Sequence, residues 1–175
     1  MRMSLRGTLR ACGESELRRY SPLMQRPYPQ ILALLPESPL ADRNLRMQKV
    51  VDLLWELLHP TGVSWVGFYL HVGGDELILG PRRDKPACSP IGLHGACGKA
   101  FVSRNPLLVR DVAELGENYI ACDPRDRSEV VLPLVNEDDT CWGVLDLDSH
   151  EVGAFDESDV AGLRRILRKA GLSAK

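Results

Sequence analysis

Three acids and three cysteines are the groups in this 175-residue chain whose types and spacing could do chemistry. The acids are Glu129, Asp146 and Asp148. They lie in two apolar, β-branched runs, 129–135 and 141–149, separated by Asn136-Glu137-Asp138-Asp139-Thr140. Such a pair of runs around a short polar segment predicts a β-hairpin. With Asp138 and Asp139 at the tip, Glu137 pairs with Thr140, which carries Glu129 opposite Asp148 and Val131 opposite Asp146. Strand side chains alternate between faces. Glu129, Val131, Asp146 and Asp148 therefore share one face, and Val130, Leu132, Leu134, Leu145 and Leu147 share the other. Like charges placed directly opposite are destabilising. Two readings follow. One is a solvated polar face, ordinary for an antiparallel sheet. The other is a carboxylate cluster with at least one raised pKa, able to bind a cation or act as a general acid. A loop cover over this face favours the second, and the long loops at 80–95 and 111–128 are the candidates.

The cysteines are Cys12, Cys88, Cys97, Cys122 and Cys141. An odd count without a C-x-x-C pair or a secretory leader does not describe a disulfide framework. No histidine sits at zinc-finger spacing from a cysteine, so no structural metal is expected. Cys141 alternates onto the apolar face, opposite Asn136, and reads as a structural thiol. Cys88 and Cys122 fall in the two long loops, and Cys97 opens a short predicted helix, 96–103. Three thiols above a face with three acids suggest redox chemistry; inert loop thiols are the alternative. Proximity to a helix N-terminus lowers a thiol pKa, an expectation that applies to Cys97. Asp123 beside Cys122 works the other way.

These groups must be positioned by a modest set of elements. A strong amphipathic helix is predicted within Leu40–Leu58, ended by Pro60 and Gly62, after a short apolar helix at Gln30–Leu35. Val63–Val72 and Glu76–Leu79 form a hairpin around Gly73-Gly74-Asp75. Gly80–Gly92 reads as loop, Leu107–Val109 as a short strand, and Asp111–Ser128 as mostly loop. Asp156 caps a last helix with Val160, Leu163, Ile166 and Leu167 on its apolar face, stopping at Gly171. The expected class is α+β, an antiparallel sheet with its long helices on one face.

Hydrophobic residues are 44% and charged residues 26%, ordinary for a globular chain, and the net charge of −2 gives no reason to expect nucleic acid. No apolar run approaches the ~18 residues of a membrane span. Residues 1–26 read as a basic extension and 27–171 as the folded domain. A cytoplasmic location is expected. The Arg-rich start leaves organellar import as an alternative.

Several stretches carry a family resemblance: Ser64-Trp65-Val66-Gly67-Phe68-Tyr69-Leu70, Pro86-Ala87-Cys88, Gly95-Ala96-Cys97-Gly98, Tyr119-Ile120-Ala121-Cys122-Asp123, Ser128-Glu129-Val130-Val131-Leu132-Pro133 and Gly143-Val144-Leu145-Asp146-Leu147-Asp148-Ser149. From about Tyr28 to about Leu167 the chain resembles the free methionine-(R)-sulfoxide reductases. The resemblance implies a single GAF domain with a loop-covered ligand pocket on the sheet face away from the helices. It implies reduction of the R epimer of free methionine sulfoxide to methionine without a bound cofactor, with thioredoxin as electron donor. A homodimer is left open. Cys122 matches the nucleophile, Cys88 the main resolving cysteine and Cys97 a third cysteine able to join a disulfide. Glu129, Asp146 and Asp148 match the acids that bind substrate and supply a proton, and Trp65 and Tyr69 the aromatic wall. The loop between Cys88 and Cys97 is one residue shorter than the family pattern, and Tyr119 stands where histidine is frequent. The runner-up is a GAF ligand sensor without catalysis. A thiol-based metal or redox sensor, with His94 as a further ligand, is the third reading.

Overall fold

A computed structural model describes residues 26–84, 87–118 and 122–175; residues 1–25 of the basic segment, Cys12 among them, and Tyr119 lie outside the described residues, whereas Arg26 lies inside them. Helix α1 (Tyr28–Leu34) and helix α2 (Arg43–Leu58) lead into strands β1 (Val63–His71) and β2 (Glu76–Arg83). A two-residue strand β3 (Ile91–Gly92), helix α3 (Ala96–Ser103) and strand β4 (Leu107–Val109) follow. Strands β5 (Ser128–Val135) and β6 (Cys141–Ser149) form the last hairpin before helix α4 (Glu157–Lys169). The six strands make one antiparallel sheet in the order β3-β2-β1-β6-β5-β4.

The predicted hairpin register is the observed one: Glu129 faces Asp148, Val130 faces Leu147, Val131 faces Asp146, and the pairing holds through Leu134 and Gly143. It slips by one residue beyond that point, so Cys141 pairs with Val135 and not with Asn136. The cause is the turn. Asp139 adopts a left-handed φ of 69°, and its N–H donates to Asn136 O while Asn136 N–H donates to Thr140 O. This tight turn adds a bulge at its base. Cys141 is half-buried, and its thiol meets Gly143 O at 3.4 Å.

Helices α1, α2 and α4 cover one sheet face. Val50, Val51, Leu54 and Leu58 of α2, and Val160, Leu163, Ile166 and Leu167 of α4, pack on Val66, Phe68, Val130, Leu132, Leu134, Leu145 and Leu147. Helix α2 starts at Arg43, later than the hydrophobic pattern suggests, because the Asp42 carboxylate accepts from Leu45 N–H at 2.9 Å and caps it there. Helix α4 begins with a capping box in which Asp156 and Asp159 serve each other's backbone. Asp159 also accepts from Arg26 Nη1 and the Tyr28 hydroxyl, each at 2.7 Å. That buried network ties the start of the described chain to the head of α4.

The opposite face carries a second, smaller cluster, including Trp65, Tyr69, Ala96, Cys97, Ala100, Val109, Val131 and Val144. Two segments expected to be loop are more ordered. Strand β2 runs on to Arg83 because a bulge lets Gly80 and Pro81 sit between the pairs Tyr69–Leu79 and Gly67–Arg82; proline is tolerated at a bulge because it has no N–H to give the ladder. Val112–Asn118 is wound as 3-10 helix, kinked at Gly116. Among the described residues no helix is long and apolar enough to cross a membrane.

Candidate active site

Three strands present one row of side chains to the smaller cluster. Trp65 on β1 faces Asp148 on β6, and Asp148 faces Glu129 on β5. One pair along, Gly67 faces Asp146, and Asp146 faces Val131. The three acids and the two aromatics expected to form a site are thus brought to one patch of sheet. Gly67 makes room there: a Cβ at this position would sit 2.4 Å from the Trp65 ring. The indole folds over the glycine toward Tyr69, with ring centroids 5.9 Å apart.

Helix α3 and two loops roof this patch and enclose a cavity of about 320 Å³, within the range of small-ligand pockets. Trp65, Tyr69, Cys88, Cys97, Cys122, Glu129, Asp146 and Asp148 all line it. The predicted loop cover is therefore present, and the acids are not a solvated face: Glu129 is 5% and Asp146 6% exposed. Helix α3 can lie this close because Gly98 has no side chain; a Cβ there would meet Leu93 Cα at 2.2 Å.

The thiols occupy two different settings. Cys122 is exposed at the cavity mouth, and its Sγ accepts from Cys88 N–H at 3.3 Å. The Tyr69 hydroxyl donates to Cys88 O at 3.0 Å, fixing the same residue from the pocket side. Burial and then the Cys88 contact push the Cys122 thiol up to about 12, while the Cys88 N–H pulls it down. Cys97 is buried, and its thiol donates to Asp146 Oδ2 at 3.2 Å. The expected lowering by the helix N-terminus does not prevail. Burial, followed by the charges of Asp146 and Glu129, holds this thiol well above its ordinary range.

The acids respond as a crowded set should. Burial first, then the charges of Asp146 and Asp126, raise Glu129 to about 9. Burial also raises Asp146, to about 7, against the hydrogen bond from Cys97. Among the described residues, no hydrogen-bond partner meets the buried Glu129 Oε1 and Asp146 Oδ1. Two orphaned carboxyl oxygens on one cavity wall call for polar hydrogens from a ligand, or a proton of their own.

Sequence reasoning passed over Asp126 and His150. Asp126, 4% exposed, is a further buried acid on the cavity wall and accepts from the Ser64 hydroxyl at 3.1 Å. His150 Nε2 lies between Asp123 and Asp126, at 3.6 and 3.5 Å. Asp123 is also gripped by the Arg125 guanidinium at 2.8 Å. The imidazole thus stands where a cation between these carboxylates would stand. The available signal was the density of Asp123, Arg125, Asp126 and Arg127 just before β5. His94 lines the cavity as well.

The family model for the GAF domain matches residues 42–173. The free methionine-R-sulfoxide reductase of Escherichia coli is 43% identical over 117 residues, covering 66% of this chain and 67% of that protein. The substrate complex of free methionine-R-sulfoxide reductase from Neisseria meningitidis superposes with a TM-score of 0.70 at 32% identity, over 83% of this chain and 87% of that one. The substrate complex of fRMsr from Staphylococcus aureus gives 0.71 at 33% identity, over 84% and 93%.

Proposed function

This chain belongs to the free methionine-R-sulfoxide reductase family of GAF domains, and from that premise we propose that it reduces free L-methionine-(R)-sulfoxide to L-methionine, with thioredoxin restoring the enzyme. The observation that carries the proposal is the pairing of Cys122 with Cys88 over a cavity whose acids keep unpartnered oxygens.

A sulfoxide sulfur is a poor electrophile until its oxygen is protonated. Cys122 attacks the sulfur from the loop side, and the Glu129 carboxyl protonates the oxygen from the sheet side. A carboxyl raised to about 9 keeps its proton at neutral pH. The Cys122 proton is shed as the new S–S contact forms, and the Cys88 N–H supports the thiolate meanwhile. Methionine leaves, the oxygen stays on Cys122 as a sulfenic acid, and the cluster regains a proton. The Cys88 thiolate then attacks Cys122, water departs, and a Cys88–Cys122 disulfide results. Two thioredoxin thiols reduce it by exchange. Asp146 and Asp148 hold the substrate ammonium, a group that a residue inside a protein chain lacks. Trp65 and Tyr69 receive the S-methyl, since thioether contacts with aromatic rings are favourable.

The test is methionine release from free methionine-R-sulfoxide with thioredoxin recycling, beside the S epimer and a peptide-bound sulfoxide. Turnover of the free R form alone is expected. No turnover of any substrate, with dithiothreitol as well, overturns the proposal in favour of a ligand sensor.

A further inference from the structure

The exchange proposed above uses Cys122 and Cys88, whereas the Cys97 thiol is buried in the acid cluster with its hydrogen bond on Asp146 Oδ2. We infer that Cys97 is a positioning residue and not a redox thiol: its S–H, seated on Asp146 Oδ2, keeps Asp146 an acceptor and leaves the cluster's proton on Glu129. This rests on the reductase reading of the pocket.

The geometry is specific. A carboxyl oxygen facing an S–H must accept, and a donor aimed at a carboxylate favours its ionised form. Cys97 supplies that donor at 3.2 Å from helix α3, where Gly98 sets the approach. No hydrogen-bond partner meets Glu129 Oε1 among the described residues. A proton shared by two neighbouring carboxyls settles on the one lacking the donor. The groups facing the pair are Tyr69 from β1, Cys97 and Lys99 from α3, Asp126 from the loop before β5, Asp148 from β6 and His94 from the roof. Of these, Lys99 alone lowers Glu129, and it stands last among the influences there. Cys122 and Cys88 meet each other at the cavity mouth, whereas the Cys97 thiol is buried and turned onto Asp146, so redox service would first have to break that hydrogen bond.

The test uses the full chain with Cys97→Ser and Cys97→Ala. The first readout is the pH profile of the single methionine burst from free methionine-R-sulfoxide without reductant. The second is the ¹³C titration of the Asp146 carboxyl. In Cys97→Ala the acid limb, where Asp146 takes up a proton, is expected to move up by about one pH unit, the scale of one lost hydrogen bond to a charged acceptor. In Cys97→Ser, whose hydroxyl restores the donor, it is expected to stay at the wild-type pH. The inference is overturned if the two variants share one profile. It is equally overturned if both give the burst and then stall with thioredoxin, as loss of a resolving thiol would cause. Absence of a burst in the wild type would count against the reductase reading instead, and the Asp146 titration would still decide the hydrogen bond.

Discussion

At the scale of single residues the site divides its work between groups at the cavity mouth and groups at its floor. Cys122→Ser is expected to abolish methionine formation, measured as the burst without reductant, because among the described residues Cys122 is the exposed thiol that meets Cys88 for the next step. Cys88→Ser is expected to give one burst and then stall with thioredoxin; sustained thioredoxin-driven turnover would remove its resolving role. Glu129→Gln keeps the shape and removes the proton. A loss of about 10²–10⁴-fold in the burst rate is expected, the usual size for general acid catalysis. The wild-type rate should fall as pH rises through about 9, where Glu129 ionises; a rate still level above that pH would exclude Glu129 as the acid. The positions of these acids could be read ahead of the structure because alternation and one turn set a register. Their partners could not. Asp126 and His150 come from a polar loop and a strand end with no periodic signal, and their meeting depends on how the chain folds back over β1 and β6. The Cys97 setting escaped for a related reason. The helix-terminus effect is local and visible in the sequence, whereas the burial and the two carboxylates that outweigh it arrive through tertiary contact.

At the scale of elements, the sheet was accessible to pattern reasoning wherever strands are central and two-faced. The edge strand β4 stands where it was expected, and reading failed at the other edge. Strand β3 is two residues long, and β2 passes through a Gly-Pro bulge that resembles a loop in any linear scan. The same bulge matters to the site, since it belongs to the hairpin that carries Trp65 and Tyr69. Helix α3 is the element on which positioning depends. Gly98→Ala would drive a methyl into the Leu93 backbone, and the helix must lift or tilt to accept it. The expected cost is about 1–3 kcal/mol of stability, together with displacement of Cys97 from Asp146. Denaturant melts beside burst kinetics would show both; loss of stability with an unaltered pH profile would mean that the helix moves without disturbing the acid. Helix α4 provides the contrast. Asp156→Ala removes its cap at a cost of about 1 kcal/mol, and the folded fraction should retain the wild-type pH profile, because α4 lies behind the opposite sheet face.

At the scale of the molecule, the sheet is a wall with stability on one side and chemistry on the other. The buried Arg26–Asp159–Tyr28 network belongs to the first side. Arg26→Ala strands a carboxylate and is expected to cost about 3 kcal/mol, read as a lower urea midpoint; an unchanged midpoint would show that Tyr28 and the Asp156 backbone suffice. The acid cluster belongs to the second side, and it is a burden. The folded-state pKa of Glu129 is raised from 4.5 to about 9. Its contribution to stability is therefore complete below pH 4.5 and disappears as pH climbs through 9. Glu129→Gln is expected to melt higher than the wild type at pH 9–10, by about 2–4 °C for each kcal/mol of penalty removed. That advantage should vanish near pH 5; equal melting temperatures throughout would show that the cluster carries no such load. The glycine beneath the indole has a wider meaning. Gly67 is a hole in the lattice of side chains on the pocket face, and the Trp65 ring is stored in it. Any larger residue would evict the indole into the cavity and shrink the space for the guest molecule. One missing methyl on the middle strand thus sets the size of cargo this container accepts, and selection acting on that position alone could retune it while the wall behind stays as it is.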